Sequence, residues 1–351
     1  MRVVVVGASG NVGTSLLARL AADPEVDSVL GLARRRPRLD MSKTDWAEAD
    51  VASSDLVPHF RGADCVVHLA WLIQPARDRR HLWRPNVEGS SRVFRAVTDA
   101  GVPALVYASS VGVYSRGPKD RLVDESWPRD GIRTNGYSSE KAEVERRLDT
   151  FEREHPSVRV ARLRPGLIFK RQAASGIRRL FAGPFLPNPL VRPGLLPFFP
   201  DVPGLRFQAV HSLDVGEAYR LAVRSDAHGA FNVAAEPVLD PPTLARELRA
   251  RLVRVPPRVL RACVGLTWRL HLQPTPPSWI DVALGVPLLD SSRARRELGW
   301  EPRRTAVEAF RELLDGMRER AGVETPPLSP GSGGPLRVEE LRTGVGSREE
   351  L

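Results

Sequence analysis

Lysine is scarce in this sequence of 351 residues. Of its 52 basic residues, all except Lys43, Lys119, Lys141 and Lys170 are arginines, and they are spread along the whole chain. The net charge of +10 therefore indicates a compositional bias more than a local basic patch. No recognition motif and no run of interleaved aromatic and basic residues accompanies the charge. We therefore predict no nucleic-acid partner. A basic RNA-associated protein is an alternative, and it would bind RNA in a salt-sensitive way.

Cysteine is also rare, and long apolar runs are missing. Cys65 and Cys263 cannot build a disulfide framework, and both are predicted to be buried. The seven histidines show no ligand spacing such as HxxxH, so we predict no metal site. No apolar run reaches about eighteen residues, and the opening MRVVVVGASG reads as a strand. We expect a soluble cytoplasmic protein without membrane insertion.

Apolar, β-branched segments alternate with amphipathic ones in the first half of the chain. The predicted strands are RVVVVG (2–7), SVLGLAR (28–34), ADCVVHLA (63–70), ALVYASS (104–110) and VRVARLRPG (158–166). Continuous apolar strands separated by helices predict an α/β fold with a doubly wound parallel sheet. The ligand crevice of such a sheet lies beyond the carboxyl ends of its strands.

A glycine-rich segment, GASGNVG, follows the first predicted strand. Glycines permit the tight turn and let phosphates approach the backbone, while the amides of the next helix face the anion. The position inside a strand–helix unit is the context that a dinucleotide-binding loop requires. We predict that this loop binds the cofactor through Gly7, Ser9, Gly10, Asn11, Val12 and Gly13.

Other predicted cofactor contacts lie at the ends of later strands. Twenty positions beyond Gly13 the chain reads ARRR, so Arg34 and Arg35 are candidates for binding a 2′-phosphate, and NADP(H) is favoured over NAD. Asp50 and Val51 are candidates for the adenine, with a surface carboxylate as the alternative. Leu69, Ala70 and Pro165 complete the predicted contacts.

The segment GYSSEKAEVERRLDTF carries a lysine and a tyrosine on its apolar stripe. As a helix it aligns Tyr137 and Lys141 with Val144, Leu148 and Phe151. A buried ammonium needs a partner. With a dinucleotide in the crevice, Lys141 would bond the nicotinamide ribose and lower the pKa of Tyr137, which would pass a proton to or from a substrate oxygen.

These motifs resemble the short-chain dehydrogenase/reductase superfamily, and within it the extended branch, the NAD-dependent epimerase/dehydratase family. GASGNVG looks like its GxxGxxG, YSSEK like its YxxxK, NVEG (86–89) like its NVxGT segment, and QAVHSLDV like its later strand and turn. In that family a serine lies four residues before the tyrosine of a VYG motif. SSVGVYS puts Ser110 there, with Ser115 replacing the glycine. The resemblance implies a Rossmann fold and a catalytic set of Ser110, Tyr137 and Lys141.

The substrate is less well defined by this resemblance. Nucleotide-sugar members usually continue the RP strand into a tyrosine-glycine-proline run, but here RPGLIFKRQ follows. The proline-rich segment 181–207 suits a lid over a hydrophobic ketone or alcohol. Alternatively, Lys170, Arg171, Arg178 and Arg179 hold a diphosphate, or they face solvent. Asp124, Glu125 and Asp130 lie where dehydratases carry an additional acid, and we assign none of them.

The sequence predicts three parts. Residues 1–166 form the NAD(P)-binding Rossmann domain. Residues 167–321 form a smaller C-terminal substrate-binding region, with a part at about 207–235 that returns to the core. Residues 322–351 have the composition of a disordered tail.

We predict an NAD(P)-dependent oxidoreductase that transfers a hydride at a secondary alcohol or ketone of a small-molecule substrate. The first alternative is a nucleotide-sugar epimerase/dehydratase; the alternative of another class is a non-catalytic NAD(P)-binding sensor or scaffold. Because family members commonly dimerise through the helices that here carry Asn86 and Tyr137, a homodimer is one expected arrangement.

Overall fold

Seven parallel strands form the central sheet of the computed structural model, which describes residues 1–73, 80–181 and 194–329. Their spatial order is β11-β7-β5-β4-β1-β2-β3. The strands of the chain are β1 (Arg2–Val6), β2 (Ser28–Ala33), β3 (Thr44–Glu48), β4 (Cys65–His68), β5 (Ala104–Ala108), β6 (Leu122–Val123), β7 (Arg159–Pro165), β8 (Leu167–Phe169), β9 (Phe198–Asp201), β10 (Ala209–His211), β11 (Gly229–Val233), β12 (Arg251–Arg254) and β13 (Leu288–Leu289). The predicted doubly wound parallel sheet is confirmed.

Helices cover both faces of this sheet, as its apolar strands require. They are α1 (Asn11–Ala21), α2 (Val57–Phe60), α3 (Arg80–Trp83), α4 (Gly89–Asp99), α5 (Gly136–Glu154), α6 (Ala174–Phe181), α7 (Ser212–Arg224), α8 (Pro241–Leu248), α9 (Pro257–Arg269), α10 (Ser278–Gly285), α11 (Ser292–Leu298) and α12 (Ala306–Glu319). A short π-helix at Arg84–Glu88 leads into α4. Among the described helices, none combines the length and the apolar composition that a membrane crossing requires.

The alternating side chains of each strand build two cores. On one face, Val3 and Val5 of β1 pack with α1, α7 and Trp300. On the other face, Val4 and Val6 pack with α2, α4 and α5. Because both faces are buried, the strand register is fixed and the carboxyl ends of all seven strands meet at one edge of the sheet.

The region after β7 adds smaller layers to this core. Strands β8 and β10 pair, as do β9 with β12 and β6 with β13. A further apolar cluster joins Phe169, Leu244 and Leu313. The segment 207–235 contributes α7 and β11 to the central sheet and its cover. The domain boundaries themselves stay predictions.

Two features differ from the expectations for the second half. Cys65 is buried, but Cys263 is exposed, so the prediction that both are buried is wrong for Cys263. Residues 322–329 of the predicted tail form turns in which Thr325 and Leu328 are buried. Residues 330–351, and 182–193 of the predicted lid, lie outside the described residues.

Candidate active site

The glycine loop lies at the point where the sheet order reverses, between β1 and β4. Gly7 has a φ of +87°, and a Cβ at this position would lie 2.6 Å from the backbone nitrogen of Ala70. A Cβ at Gly13 would lie 2.4 Å from the carbonyl oxygen of Ala8. Both positions therefore exclude a side chain. The close approach also brings the predicted contacts Leu69 and Ala70 against the loop.

The first turn of α1 has no side-chain cap. Its N-cap residue is Gly10, no side chain among the described residues caps its amides, and no acidic residue lies in the turn. Ser9 is buried, and the Asn11 side-chain oxygen is buried without a hydrogen-bond partner among the described residues. Uncapped amides at a helix start attract an anion. Gly10, Asn11 and Val12 thus fit the pyrophosphate of a dinucleotide.

The predicted adenosine contacts follow β2 and β3. Arg34 and Arg35 are exposed at the end of β2, and neither forms a salt bridge within the described residues. Asp50 is half-buried, and its Oδ1 accepts a hydrogen bond from the Ala52 amide at 2.8 Å. Val51 is buried against Gly89 of α4. All four residues lie at the carboxyl edge, on the same side of the glycine loop.

Tyr137 enters the site from the first turn of α5. Asn135 caps this helix by accepting a hydrogen bond from the Ser138 amide at 3.1 Å. The ring packs on Gly112, where a Cβ would lie 2.9 Å from the Tyr137 ring. Ser110 precedes that glycine, and its Oγ accepts a hydrogen bond from the Gly112 amide at 3.0 Å. The missing side chain at Gly112 therefore brings the phenol beside Ser110.

Burial raises the pKa of the Tyr137 phenol to about 12, although its hydrogen bond with Ser110 opposes that shift. Burial likewise lowers the pKa of the Lys141 ammonium well below its ordinary value, while the charges of Glu145 and Glu140 oppose that change. In the protein alone, burial and the Ser110 hydrogen bond account for the pKa of Tyr137. The expected lowering of this pKa by Lys141, with a dinucleotide in the crevice, stays a prediction. The phenol is protonated at neutral pH.

Lys141 is held above the carboxyl end of β5. Its Nζ donates a hydrogen bond to the Ala108 carbonyl at 2.6 Å and lies 3.5 Å from the centre of the Trp71 ring. A carbonyl and an aromatic face both stabilise an ammonium, which explains how the chain tolerates this buried lysine. Its predicted apolar neighbours on α5, Val144, Leu148 and Phe151, are buried as the stripe requires.

Two tryptophans flank the phenol, and sequence reasoning missed both. The Tyr137 ring lies 6.1 Å from Trp71 and 5.3 Å from Trp279, measured between ring centres. Trp279 belongs to α10, which docks on the start of α5 through Asn135 to Ser278 at 3.2 Å and Thr134 to Asp281 at 2.9 Å. No local pattern near Tyr137 signals a residue so distant in the chain.

Asn86 fixes the loop that carries Trp71. Its side chain accepts a hydrogen bond from the Leu72 amide at 2.8 Å and donates to the Leu72 carbonyl at 3.1 Å. It also donates to Glu140 of α5 at 3.0 Å. The NVEG segment therefore ties the loop after β4 to the helix that carries Tyr137 and Lys141.

His68 is a core residue, as predicted. It is buried, and its Nε2 lies 2.9 Å from the Ser90 hydroxyl. Burial lowers the pKa of His68 to about 3, and the charge of Lys141 acts in the same direction. Pro165, the last predicted cofactor contact, is buried at the end of β7. Within the described residues no cluster of three His, Cys, Asp or Glu side chains is placed to hold a metal ion.

Lys170 turns toward α1. Its Nζ donates hydrogen bonds to the Asn11 carbonyl at 2.8 Å, Thr14 Oγ1 at 2.7 Å and Ser15 Oγ at 3.2 Å. Burial lowers the pKa of Lys170 to about 8. Arg171 is half-exposed and pairs with Glu319 of α12. Both side chains are therefore engaged within the protein; Arg178 is buried, and the side chain of Arg179 lies outside the described residues.

The model of the NAD-dependent epimerase/dehydratase family matches residues 3–179. This match covers the glycine loop, Ser110 and the helix with Tyr137 and Lys141, and it extends over half of the chain. The protein belongs to this family of NAD-dependent enzymes.

Individual relatives are distant. An uncharacterized protein of Mycobacterium tuberculosis is 28% identical over 331 residues, which cover 92% of this chain but only 31% of that protein. The chain thus spans about a third of the length of that relative. The sterol-4-alpha-carboxylate 3-dehydrogenase (decarboxylating) of Candida albicans is 28% identical over 191 residues, covering 50% of this chain and 54% of its own length.

Among solved structures, a dTDP-glucose 4,6-dehydratase from Streptomyces venezuelae with bound NAD is similar, with a TM-score of 0.68 and 20% sequence identity. The alignment covers 91% of this chain and 97% of the dehydratase. At this identity the likeness confirms the Rossmann fold.

Proposed function

We propose that this protein is an NAD(P)-dependent oxidoreductase that interconverts a secondary alcohol and a ketone on an apolar small molecule. The observation that carries the proposal is the hydrogen bond between Tyr137 and Ser110 beside two indole rings, with Lys141 one helical turn further along α5. The glycine loop follows β1, which lies two strands from β5, the strand that leads to Ser110. At ordinary strand spacing this separation is on the order of 10 Å. A dinucleotide spans that distance.

In the direction of ketone reduction, Tyr137 would donate the proton. A phenol with a pKa of about 12 is protonated at neutral pH and serves as a general acid toward the more basic alkoxide that forms during reduction. Ser110 orients the carbonyl oxygen through its hydroxyl. In the reverse direction Tyr137 accepts the proton, and a positive charge nearby would favour that step. Lys141 would supply this charge once a bound dinucleotide offers its ammonium a polar partner, because burial lowers the pKa of Lys141 in the protein alone.

The residues fit a dinucleotide, which when bound supplies or accepts the hydride. The glycine loop would hold the pyrophosphate, while Lys141 would bond the ribose. Arg34 and Arg35 are exposed and lack salt-bridge partners in the part of the chain that the structure describes, so their guanidinium groups are free to bind a 2′-phosphate. We therefore propose NADP(H) as the preferred form.

The surroundings of Tyr137 favour an apolar substrate. Trp71 and Trp279 contact its ring, and Val111, Ile132 and Val282 form an apolar cluster with Trp279. Two of the candidates for binding a diphosphate, Lys170 and Arg171, bond other groups within the protein. The Candida relative carries a sterol-related name, which agrees with this choice. A nucleotide-sugar substrate is the second candidate, favoured by the fold neighbours whose titles name such sugars.

The test is a reductase assay with NADPH against cyclic and aliphatic ketones and, in parallel, UDP-glucose. We expect Tyr137→Phe to lose turnover by about 100- to 10,000-fold on any ketone that the wild type reduces, with NADPH binding retained. Ser110→Ala should also lose turnover. The matched control is Ser126→Ala, because Ser126 is exposed and its hydroxyl bonds Asp124 instead.

Equal turnover by wild type and Tyr137→Phe would contradict the proposed acid/base role. Turnover of UDP-glucose alone would favour the nucleotide-sugar reading. NADPH binding without turnover of any compound would favour a sensor or scaffold.

A further inference from the structure

Helix α9 exposes its apolar stripe to solvent. Val259, Ala262, Cys263, Leu266 and Leu270 follow the spacing of one helix face, and all five are exposed. The exposed fractions of Leu266 and Leu270 are 58% and 59%. No residue of α9 is buried. An amphipathic helix normally turns such a stripe toward the core, so this face indicates a surface that something else covers.

The apolar stripe lies within a segment of the chain whose charged residues are all positive. Residues 248–280 contain no aspartate or glutamate but six arginines, at positions 249, 251, 254, 258, 261 and 269. All six are exposed. Only Arg261 forms a salt bridge with another described residue, Asp281 at 2.8 Å. Arg258 and Arg269 lie roughly 90° around the helix from the stripe, at the edge of its apolar face.

More apolar residues extend this surface beside the helix. Leu272 follows α9 and is exposed, as are Leu252 and Val253 of β12. Strand β12 pairs with β9, where Phe198 is 60% exposed. The surface thus combines exposed leucine, valine and phenylalanine side chains with guanidinium groups that, except for Arg261, form no salt bridge with another described residue. We name this combination of α9, β12 and their arginines the α9 surface.

The charge pattern decides between the candidate occupants. In a symmetric dimer the same patch contacts itself, and the α9 surface has no carboxylate to complement its own arginines. A bilayer with anionic lipids supplies phosphate groups for the arginines and an acyl boundary for the leucines. We propose that the α9 surface docks peripherally on an anionic membrane, with α9 lying in the plane of the interface.

This docking would bring the candidate active site to the membrane. Arg261 of α9 pairs with Asp281 of α10, and α10 carries Trp279, which packs on Tyr137. A bound α9 would therefore keep α10 and its Trp279 next to the docked helix. That an apolar substrate would reach them from the bilayer rests on the proposed function. Membrane binding itself rests on the α9 surface alone and is measured without cofactor or substrate.

The experiment is sedimentation of the full chain with vesicles of phosphatidylcholine, with and without phosphatidylglycerol, at low and high salt. We expect binding to the anionic vesicles only, weakened by salt. Leu266→Asn should lower the partition coefficient on the order of tenfold. Its control is Leu122→Asn, which changes an exposed leucine on β6 and should leave binding unchanged.

The contribution of charge is tested by Arg258→Gln/Arg269→Gln, which should lower binding to anionic vesicles on the order of tenfold or more. Its control, Arg61→Gln/Arg95→Gln, removes the same charge from exposed positions elsewhere and should have little effect. Circular dichroism and thermal unfolding check that every variant is folded.

Three results would overturn the proposal. The first is a folded wild type that does not sediment with anionic vesicles at low salt. The second is an equal loss of binding by each variant and its control, because net charge alone would then explain it. The third is a wild-type dimer that ignores vesicles and that Leu266→Asn converts to a monomer, which would assign the surface to a second copy of the chain.

Discussion

Glu145 carries a buried carboxylate at the centre of an arginine cluster behind the candidate active site. Arg164 bonds both of its oxygens, at 2.8 and 2.5 Å, and Arg162 lies 3.7 Å away. Ser109 donates a third hydrogen bond. Burial alone would raise the pKa of Glu145, but Arg164, Arg162 and the Ser109 hydroxyl outweigh burial and lower the pKa to about 2. This cluster anchors α5 to β5 and β7.

We predict that Glu145→Gln destabilises the fold by about 3–5 kcal/mol, because Arg164 would remain buried without its counter-charge. The folded pKa of Glu145, about 2, lies below its ordinary value of 4.5. Its contribution is therefore complete above about pH 4.5 and is lost as the pH falls toward 2. Urea unfolding at several pH values measures both effects.

The control for this prediction is Glu143→Gln, since Glu143 pairs on the half-exposed side of α5 with Arg146 and Arg147. Exposed pairs of this kind contribute little. Two results together would contradict the account of the cluster. Glu145→Gln would be as stable as Glu143→Gln, and its free energy of unfolding would depend on pH below 4.5 as that of the wild type does.

Among the elements, α1 and α7 show how a close contact positions the site. Gly216 of α7 faces the backbone of α1, where a Cβ would lie 2.8 Å from the carbonyl carbon of Ser15. Ser15 and Ser212 bond each other across the contact at 2.9 Å, and Ser212 also donates to the Asn11 carbonyl at 3.1 Å. The start of α1, which would hold the pyrophosphate, is thus fixed by α7.

We predict that Gly216→Ala destabilises the protein by about 1–3 kcal/mol, because the added methyl group must push two backbones apart. It should also weaken dinucleotide binding, since α1 moves. The matched control is Gly265→Ala in α9, where the nearest atom to a Cβ lies 3.7 Å away and alanine is the better helix former.

Thermal unfolding and a cofactor titration on both variants measure these effects. If Gly216→Ala keeps the stability and the dinucleotide affinity of the wild type, the contact between α1 and α7 accommodates a methyl group. That result would contradict this explanation of how α1 is held.

Across the molecule, the features that the sequence predicts are those that a local pattern of residues encodes. Burial on both faces gives a strand a continuous apolar run, and this run predicts β1, β2, β4, β5 and β7. The glycine loop and the helix with Tyr137 and Lys141 were predicted because their spacing is local.

Contacts between distant segments escaped prediction. Trp279 meets Tyr137 only because α10 docks on the start of α5. Lys170 turns to α1 because Asn11, Thr14 and Ser15 offer three neutral acceptors there. Strand β12 has no predicted counterpart, and it forms because β9 supplies a parallel partner. None of these contacts has a signal within a single window of sequence.

The central claim, a dinucleotide site that serves Tyr137 and prefers NADPH, is tested most directly by one titration. Purified protein is titrated with NADPH and with NADH, with excitation of tryptophan and detection of emission from the bound reduced nicotinamide. Trp71 and Trp279 lie beside the phenol and so next to the proposed nicotinamide position. The same titration is run on Arg34→Gln/Arg35→Gln, with Arg61→Gln/Arg95→Gln as the charge-matched control.

We predict saturable energy transfer with both nucleotides and tighter binding of NADPH. Arg34→Gln/Arg35→Gln should weaken NADPH binding roughly tenfold to a hundredfold, because charged hydrogen bonds to the 2′-phosphate are lost, while NADH binding and the control stay unchanged. Tighter binding of NADH by the wild type would contradict the role of Arg34 and Arg35. Absence of saturable transfer with either nucleotide would contradict the account of the site as a whole.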